Sequence, residues 1–271
     1  MASTLSFWKM NGAGNDFVML DNRNLALNLD RDAIAKLCDR HRGIGADGLL
    51  AVEPAQATGD FRMRYYNADG GEAEMCGNGA RCFARFVNHL HDNSLEHVSF
   101  ETQAGIISGE FLEDQVRINM STPHDLKLHQ ELIVEGLPLI VHSVNTGVPH
   151  AVVLVEDLDH TDVNRLGAAL RYHEAFAPKG TNANFVQVIE PGYIRIRTYE
   201  RGVEDETLAC GTGMVACALI HHELIGAESP VSVLVKGGDT LLIGFEKIDG
   251  IYHDVTLHGP ADFVFNGDVT I

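Results

Sequence analysis

The sequence predicts an α/β (α+β) protein of two similar halves, each a set of short strands around one buried helix, and three observations carry that reading. Arg62-Met63-Arg64-Tyr65-Tyr66-Asn67 resembles Arg195-Ile196-Arg197-Thr198-Tyr199-Glu200 at an offset of 133 residues, close to half of the 271-residue chain. Two Cys-Gly-x-Gly turns, Cys76-Gly77-Asn78-Gly79 and Cys210-Gly211-Thr212-Gly213, repeat at an offset of 134 after one inserted residue. The segment after the second turn, Met214-Val215-Ala216-Cys217-Ala218-Leu219-Ile220, is apolar on every side, as a helix at the centre of a surrounding sheet must be.

Each half reads alike from its start. Leu5–Met10 and Leu139–Val144 are first strands, followed by a glycine turn and the apolar runs Phe17–Leu20 and Ala151–Val155. Helices are expected over Arg31–Arg40 and Asp162–Arg171, with Asp30 and Thr161 as N-caps. Strands follow at Leu49–Val52 and Phe61–Tyr66, matched by Phe185–Ile189 and Tyr193–Tyr199. The Cys-Gly turns then open helices over Asn78–His91 and Thr212–Leu224. Val98–Thr102, Ile106–Phe111 and Val116–Met120 close the first half; Val231–Val235, Leu241–Phe245 and Val255–Leu257 close the second. The likeness of Val116–Leu126 to Val255–Phe263 suggests that each half hands a terminal strand across. The expected domains are therefore residues 1–119 with Cys76, completed by the strand 260–271, and residues 120–259 with Cys210.

Composition narrows the function. With 45% hydrophobic residues and scattered glycines, the chain is neither disordered nor collagen-like. Twenty Lys plus Arg against 38 Asp plus Glu give a formal charge of −18, which repels nucleic acid and anionic membranes and favours a small-molecule partner. No run approaches a spanning helix and Met1–Asn11 lacks the pattern of a signal peptide, so a cytoplasmic location is expected. The five cysteines form no CxxC pair, against both a disulfide framework and structural zinc.

The paired Cys-Gly turns carry the chemistry. Across a pseudo-twofold axis, both thiols are expected at one interdomain cleft, with the N–H groups of two helix N-termini exposed beside them. A helix N-terminus favours thiolate and binds carboxylate. Two matched acid/base groups suit inversion at a carbon bearing an acidic proton: one removes the proton and the other supplies one to the opposite face. The helix N-termini would stabilise the carbanion as its charge spreads onto a carboxylate. No lysine stands in a context suited to a Schiff base, and no phosphate-loop signature is present, so neither an organic cofactor nor a metal is expected. His221-His222 and the His89/His91 pair read as helix-surface residues, Cys38, Cys82 and Cys217 as core, and Gly43–Gly48 as a turn near the cleft.

Lys9–Phe17, Tyr66-Asn67-Ala68-Asp69-Gly70 leading to Met75–Cys82, and Tyr199-Glu200-Arg201-Gly202 leading to Ala209–Gly213 together resemble the diaminopimelate epimerase family over essentially the whole chain. The resemblance implies a PLP-independent isomerase that interconverts LL- and meso-2,6-diaminopimelate, built from two curved, mostly antiparallel sheets each wrapped around a central helix, and a homodimer. It further implies that Cys76 and Cys210 are the acid/base pair and that Asn15, Asn67, Asn182 and Arg201 hold substrate. By the same likeness Gly77-Asn78 and Gly211-Thr212 cradle a carboxylate, while His150 and Glu200 tune the thiols. Arg201 suits a bidentate grip on a carboxylate. The family usually has Asn in the Gly-x-Pro-His slot where this chain has Val148. That departure leaves a related cofactor-independent amino-acid racemase as the alternative. A non-catalytic amino-acid-binding module is the more distant one, and it has no need of two matched thiols.

Overall fold

The computed structural model describes residues 4–28 and 30–270. Residues 1–3 of the Met1–Asn11 stretch read above, and the last residue of the expected 260–271 strand, lie outside the described residues. The chain divides into two compact units, Met1–Ile118 with Gly259–Ile271, and Asn119–His258.

In the first unit, β1 (Thr4–Gly12) and β2 (Asn15–Asp21) form a hairpin; α1 (Arg31–Cys38) leads to β3 (Gly48–Pro54) and β4 (Phe61–Asn67). Helix α2 (Gly77–Leu90) then leads to β5 (His97–Thr102), β6 (Gly105–Leu112) and β7 (Gln115–Asn119). In the second unit, β8 (His124–Val134), β9 (Leu137–Asn145) and β10 (Pro149–Leu154) precede α3 (Val163–Arg171), β11 (Asn182–Glu190), β12 (Tyr193–Glu200) and the short β13 (Asp205–Thr207). Helix α4 (Gly211–Ile225), β14 (Val231–Leu234), β15 (Thr240–Ile248) and β16 (Ile251–Pro260) complete it. Strand β17 (Asp262–Thr270) returns to pair with β1 in the first unit, antiparallel, Thr4 opposite Thr270.

Strand order is the same in both units: β17-β1-β2-β3-β4-β5-β6-β7 in one, β8-β9-β10-β11-β12-β14-β15-β16 in the other, with β13 added beside β12. Parallel neighbours need a crossover, whereas antiparallel ones need only a turn. The parallel pairs β2–β3, β4–β5, β10–β11 and β12–β14 are the ones bridged by α1, α2, α3 and α4, and the other neighbours in these two orders are antiparallel.

Helix α2 packs against β1 through β6, and α4 against β9, β10, β11, β12, β14 and β15, so each sheet wraps its own helix. Gly211 and Gly213–His221 are buried accordingly. Helix α1 covers the other face of its sheet, where Ile34, Leu37 and Cys38 meet Val18, Leu20 and Leu49; α3 does the same with Leu170 against Val153 and Phe185. Gly226, at φ 70°, closes α4 by donating to His222 O.

Two expectations need correction. The N-cap of α3 is Asp162, whose carboxylate accepts from Arg165 N–H, because the Thr161 hydroxyl is taken by Asp157 O. His221 is buried rather than on a helix surface, because α4 has no solvent side there; its Nε2 accepts from Gly192 N–H at 3.2 Å.

Candidate active site

Both motif cysteines are N-cap residues. Cys76 (φ −137°, ψ 122°) precedes α2 and Cys210 (φ −121°, ψ 110°) precedes α4, each in extended backbone just before the turn whose amides have no intrahelical partner. A sulfur there lies in the positive end of the helix dipole. The other three cysteines are in the apolar core, and burial pushes Cys38 up to about 11, Cys82 to about 12 and Cys217 well above its ordinary value. These three are held as thiols.

In the first unit the β1–β2 hairpin sets the scene. Ala13 (φ 59°) and Gly14 (φ 87°) are its two turn residues, both in the left-handed region that a tight two-residue hairpin turn demands, and Asn11 Oδ1 accepts from Gly14 N–H. The hairpin presents Asn15 to Cys76, whose Sγ donates to Asn15 Oδ1 at 3.5 Å. Asn15 Nδ2 donates to Asp47 Oδ2 at 2.6 Å, which fixes the amide with its oxygen toward sulfur. Asp47 is held by Arg40, which also grips both oxygens of Asp16 at 2.7 and 2.8 Å, and the buried Lys9 ammonium adds a 2.8 Å contact to Asp16. Burial acts to raise the Asp16 pKa, but the Arg40 and Lys9 cations outweigh it and hold the carboxyl well below its usual range. Sequence reasoning missed Asp47, Arg40, Asp16 and Lys9 as a support. The signal was there: Lys9 and Asp16 belong to the same Lys9–Phe17 motif as Asn15, and Asp47 lies in the Gly-rich turn Gly43–Gly48.

Gly77 and Asn78 form the first turn of α2 and are buried; Asn78 Oδ1 accepts from the fully buried Arg81. Arg81 also donates to Gly77 O and Pro260 O, tying the helix start to the chain leading into β17. Asn67 ends β4, exposed; its backbone closes a turn with Gly70 and its Oδ1 accepts from Tyr65 Oη at 3.0 Å.

In the second unit Cys210 Sγ lies 3.7 Å from Thr212 Oγ1 in the first turn of α4, beside Gly211. Thr212 Oγ1 is in turn 2.9 Å from His150 Nε2, so His150 reaches Cys210 through a hydroxyl. Burial, assisted by the charge of Arg201, pushes His150 down to about 3, so its ring is neutral. Thr146 Oγ1 donates to Thr212 O at 2.9 Å, pinning the helix start to the β9–β10 turn. Asn182 Oδ1 accepts from Arg201 N–H at 2.8 Å and its Nδ2 donates to Pro149 O, while Arg201 Nη1 donates to Lys179 O. Burial raises the Glu200 carboxyl, against the lowering effect of the Thr207 hydroxyl that donates to it. Val148, in the β9–β10 turn, is half-buried and its carbonyl accepts from Thr146 N–H.

Known proteins bear on this arrangement. Residues 7–125 and 142–254 match the family model described as diaminopimelate epimerase. The diaminopimelate epimerase of Aquifex aeolicus (strain VF5) is 42% identical over 276 aligned residues, covering 97% of each chain. That of Chlorobaculum tepidum is 43% identical, with 97% of this chain and 100% of the relative covered. Among solved structures, a phenazine biosynthesis protein of Bacillus anthracis superposes with a TM-score of 0.72 over 99% of this chain and 100% of its own, at 16% identity, which shows a shared fold alone. The sequence likeness thus lies with epimerases, and the racemase alternative is the less well supported. With a family match across most of its length and relatives above 40% identity over nearly all of it, the chain belongs to the diaminopimelate epimerase family.

Proposed function

We propose that the chain interconverts LL- and meso-2,6-diaminopimelate, with Cys76 and Cys210 as a thiol/thiolate pair and without pyridoxal phosphate or a metal. The observation that carries this reading is the placement of both motif cysteines as N-caps of the buried helices α2 and α4. One sulfur takes the α-proton while the other delivers a proton to the opposite face, and the roles exchange with direction. The carbanion between these steps spreads its charge onto the α-carboxylate, which the amides of Gly77-Asn78 and Gly211-Thr212 receive. Asn15, Asn67, Asn182 and Arg201 hold the substrate, Arg201 gripping a carboxylate. His150 and Glu200 tune the thiols. The protein acts in the cytoplasm as a homodimer. Its partner is a small molecule and not nucleic acid, the part of this reading that the charge of −18 supports.

Purified protein, dialysed against chelator and kept reduced, is expected to convert LL-diaminopimelate to the meso isomer with nothing added, as read by chiral chromatography. Cys76→Ala and Cys210→Ala are each expected to abolish conversion with the fold intact. Activity that returns only with pyridoxal phosphate or a metal overturns the reading, as does near-wild-type conversion by either variant.

A further inference from the structure

Asn184, on β11, lies wholly buried behind the second cysteine. Its amide is oriented by its neighbours. A carbonyl only accepts, so the atom 2.9 Å from Ala151 O is the amide nitrogen, and its Oδ1 accepts from Thr198 Oγ1 at 2.9 Å. The same nitrogen stands 3.1 Å from His150 Nδ1. An amide nitrogen has only hydrogens to offer, so Nδ1 accepts and carries no proton. Burial keeps the ring neutral. Its single proton therefore sits on Nε2, which donates to Thr212 Oγ1 at 2.9 Å. The Thr212 hydroxyl hydrogen is thereby turned to its other side, toward Cys210 Sγ at 3.7 Å.

We infer that Asn184 is a positioning residue that fixes the Nε2–H tautomer of His150, so that the chain Asn184→His150→Thr212 delivers a hydroxyl hydrogen to the Cys210 sulfur and favours its thiolate. Every link points one way, and reversing the first reverses them all. Gly213 makes the close approach possible: a Cβ there would lie 2.5 Å from Asn184 Oδ1. The first unit has the opposite polarity, since Asp47 turns Asn15 Oδ1, an acceptor, toward Cys76 Sγ. The Thr212 hydroxyl that faces Cys210 as a donor thus contrasts with the Asn15 oxygen that faces Cys76 as an acceptor. The inference rests on the two-thiol reading above.

It is tested without turnover, so that its failure and the failure of that reading are separable. In wild-type protein carrying 15N-histidine, the nitrogen spectrum at neutral pH is expected to show His150 with Nε2 protonated and Nδ1 bare. Asn184→Asp puts an accepting oxygen where the donating nitrogen was. It is expected to move the proton to Nδ1 and to slow iodoacetamide alkylation of Cys210 about tenfold relative to Cys76, the scale of losing one hydrogen bond to a charged group. Thr212→Val is expected to slow Cys210 alkylation equally with the tautomer unchanged, and Thr212→Ser to restore it. A protonated Nδ1 in the wild type overturns the inference, whatever the variants do. So does alkylation of Cys210 in Thr212→Val at the wild-type rate. Inactivity toward diaminopimelate with these signatures intact overturns the substrate assignment and leaves the hydrogen-bond chain standing.

Discussion

At Val148 the chain has a side chain that forms no hydrogen bond, at the repeat position of Asn15. Its backbone carbonyl accepts from Thr146 N–H at 3.2 Å, while its side chain has no hydrogen bond to offer a ligand. A neutral hydrogen bond is worth about 0.5–1.5 kcal/mol and one to a charged group about 1.5–3. Val148→Asn is therefore expected to change kcat/KM for diaminopimelate less than Arg201→Ala lowers it; a nearly silent Arg201→Ala removes Arg201 from substrate binding.

His150 gives a second expectation at this scale. Unfolded, it takes a proton near its ordinary value of 6.5; folded, burial holds it neutral down to about pH 3. Between these values the unfolded chain binds more protons, so the stabilising contribution is full above pH 6.5 and is lost as pH falls toward 3. His150→Gln is expected to flatten the fall in Tm between about pH 6.5 and 4 relative to wild type. Equal slopes would show that the ring titrates as freely folded as unfolded.

The residues in the repeated motifs were readable from sequence because two copies at one offset mark each other. Arg40 and Asn184 were not, because each acts through an intermediate side chain from a different strand or loop, and nothing local in the sequence marks such a partner; Asp47 had only its place in the Gly43–Gly48 turn to mark it.

Among elements, α4 was legible because a run apolar on all sides has no alternative to complete burial. Its N-terminal turn is constrained further. A Cβ on Gly213 would lie 2.5 Å from Asn184 Oδ1 and 3.3 Å from Cys210 Sγ, whereas one on the equivalent Gly79 meets only Leu50 and Phe17 side chains at 3.3–3.4 Å. Gly213→Ala is expected to destabilise by about 1–3 kcal/mol through overpacking, and Gly79→Ala by less. The denaturation midpoints of the two variants decide it, and equal midpoints would contradict the close packing of Asn184 on the helix.

Strand β8 shows why another element escaped. His124–Val134 does alternate in exposure, but Asp125 and His129 have positive φ (56° and 52°) and the register slips twice, so the sequence lacks a clean period of two. Strand β13, Asp-Glu-Thr, has no apolar residue to announce it; it exists because β12 offers backbone partners. The N-cap shift from Thr161 to Asp162 has the same origin, two adjacent residues competent to cap and a loop contact that settles which.

For the whole molecule, the repeated strand order explains how 271 residues form two units with one architecture, each ending its sheet on a strand beside β1 or β9. The duplication was legible from the 133-residue offset. The first unit takes its last strand from the far end of the chain, so its integrity depends on residues more than 250 positions from β1, such as Val269 opposite Leu5. Truncation before Asp262 is expected to strip protection against hydrogen exchange from β1 while leaving β9 and β10 in the second unit protected. Equal loss in both units would show that they do not open separately.

The measurement that tests the two-thiol account most directly is the isotope pattern when LL-diaminopimelate is turned over in D2O under initial-rate conditions. A thiol that delivers a proton to the opposite face carries one drawn from solvent, while the substrate's own proton stays on the other sulfur and washes out. The account predicts meso product fully deuterated at the inverted carbon, with the remaining LL substrate still protonated there. Product that retains the substrate's α-hydrogen would show a single group returning the same proton, and would contradict it.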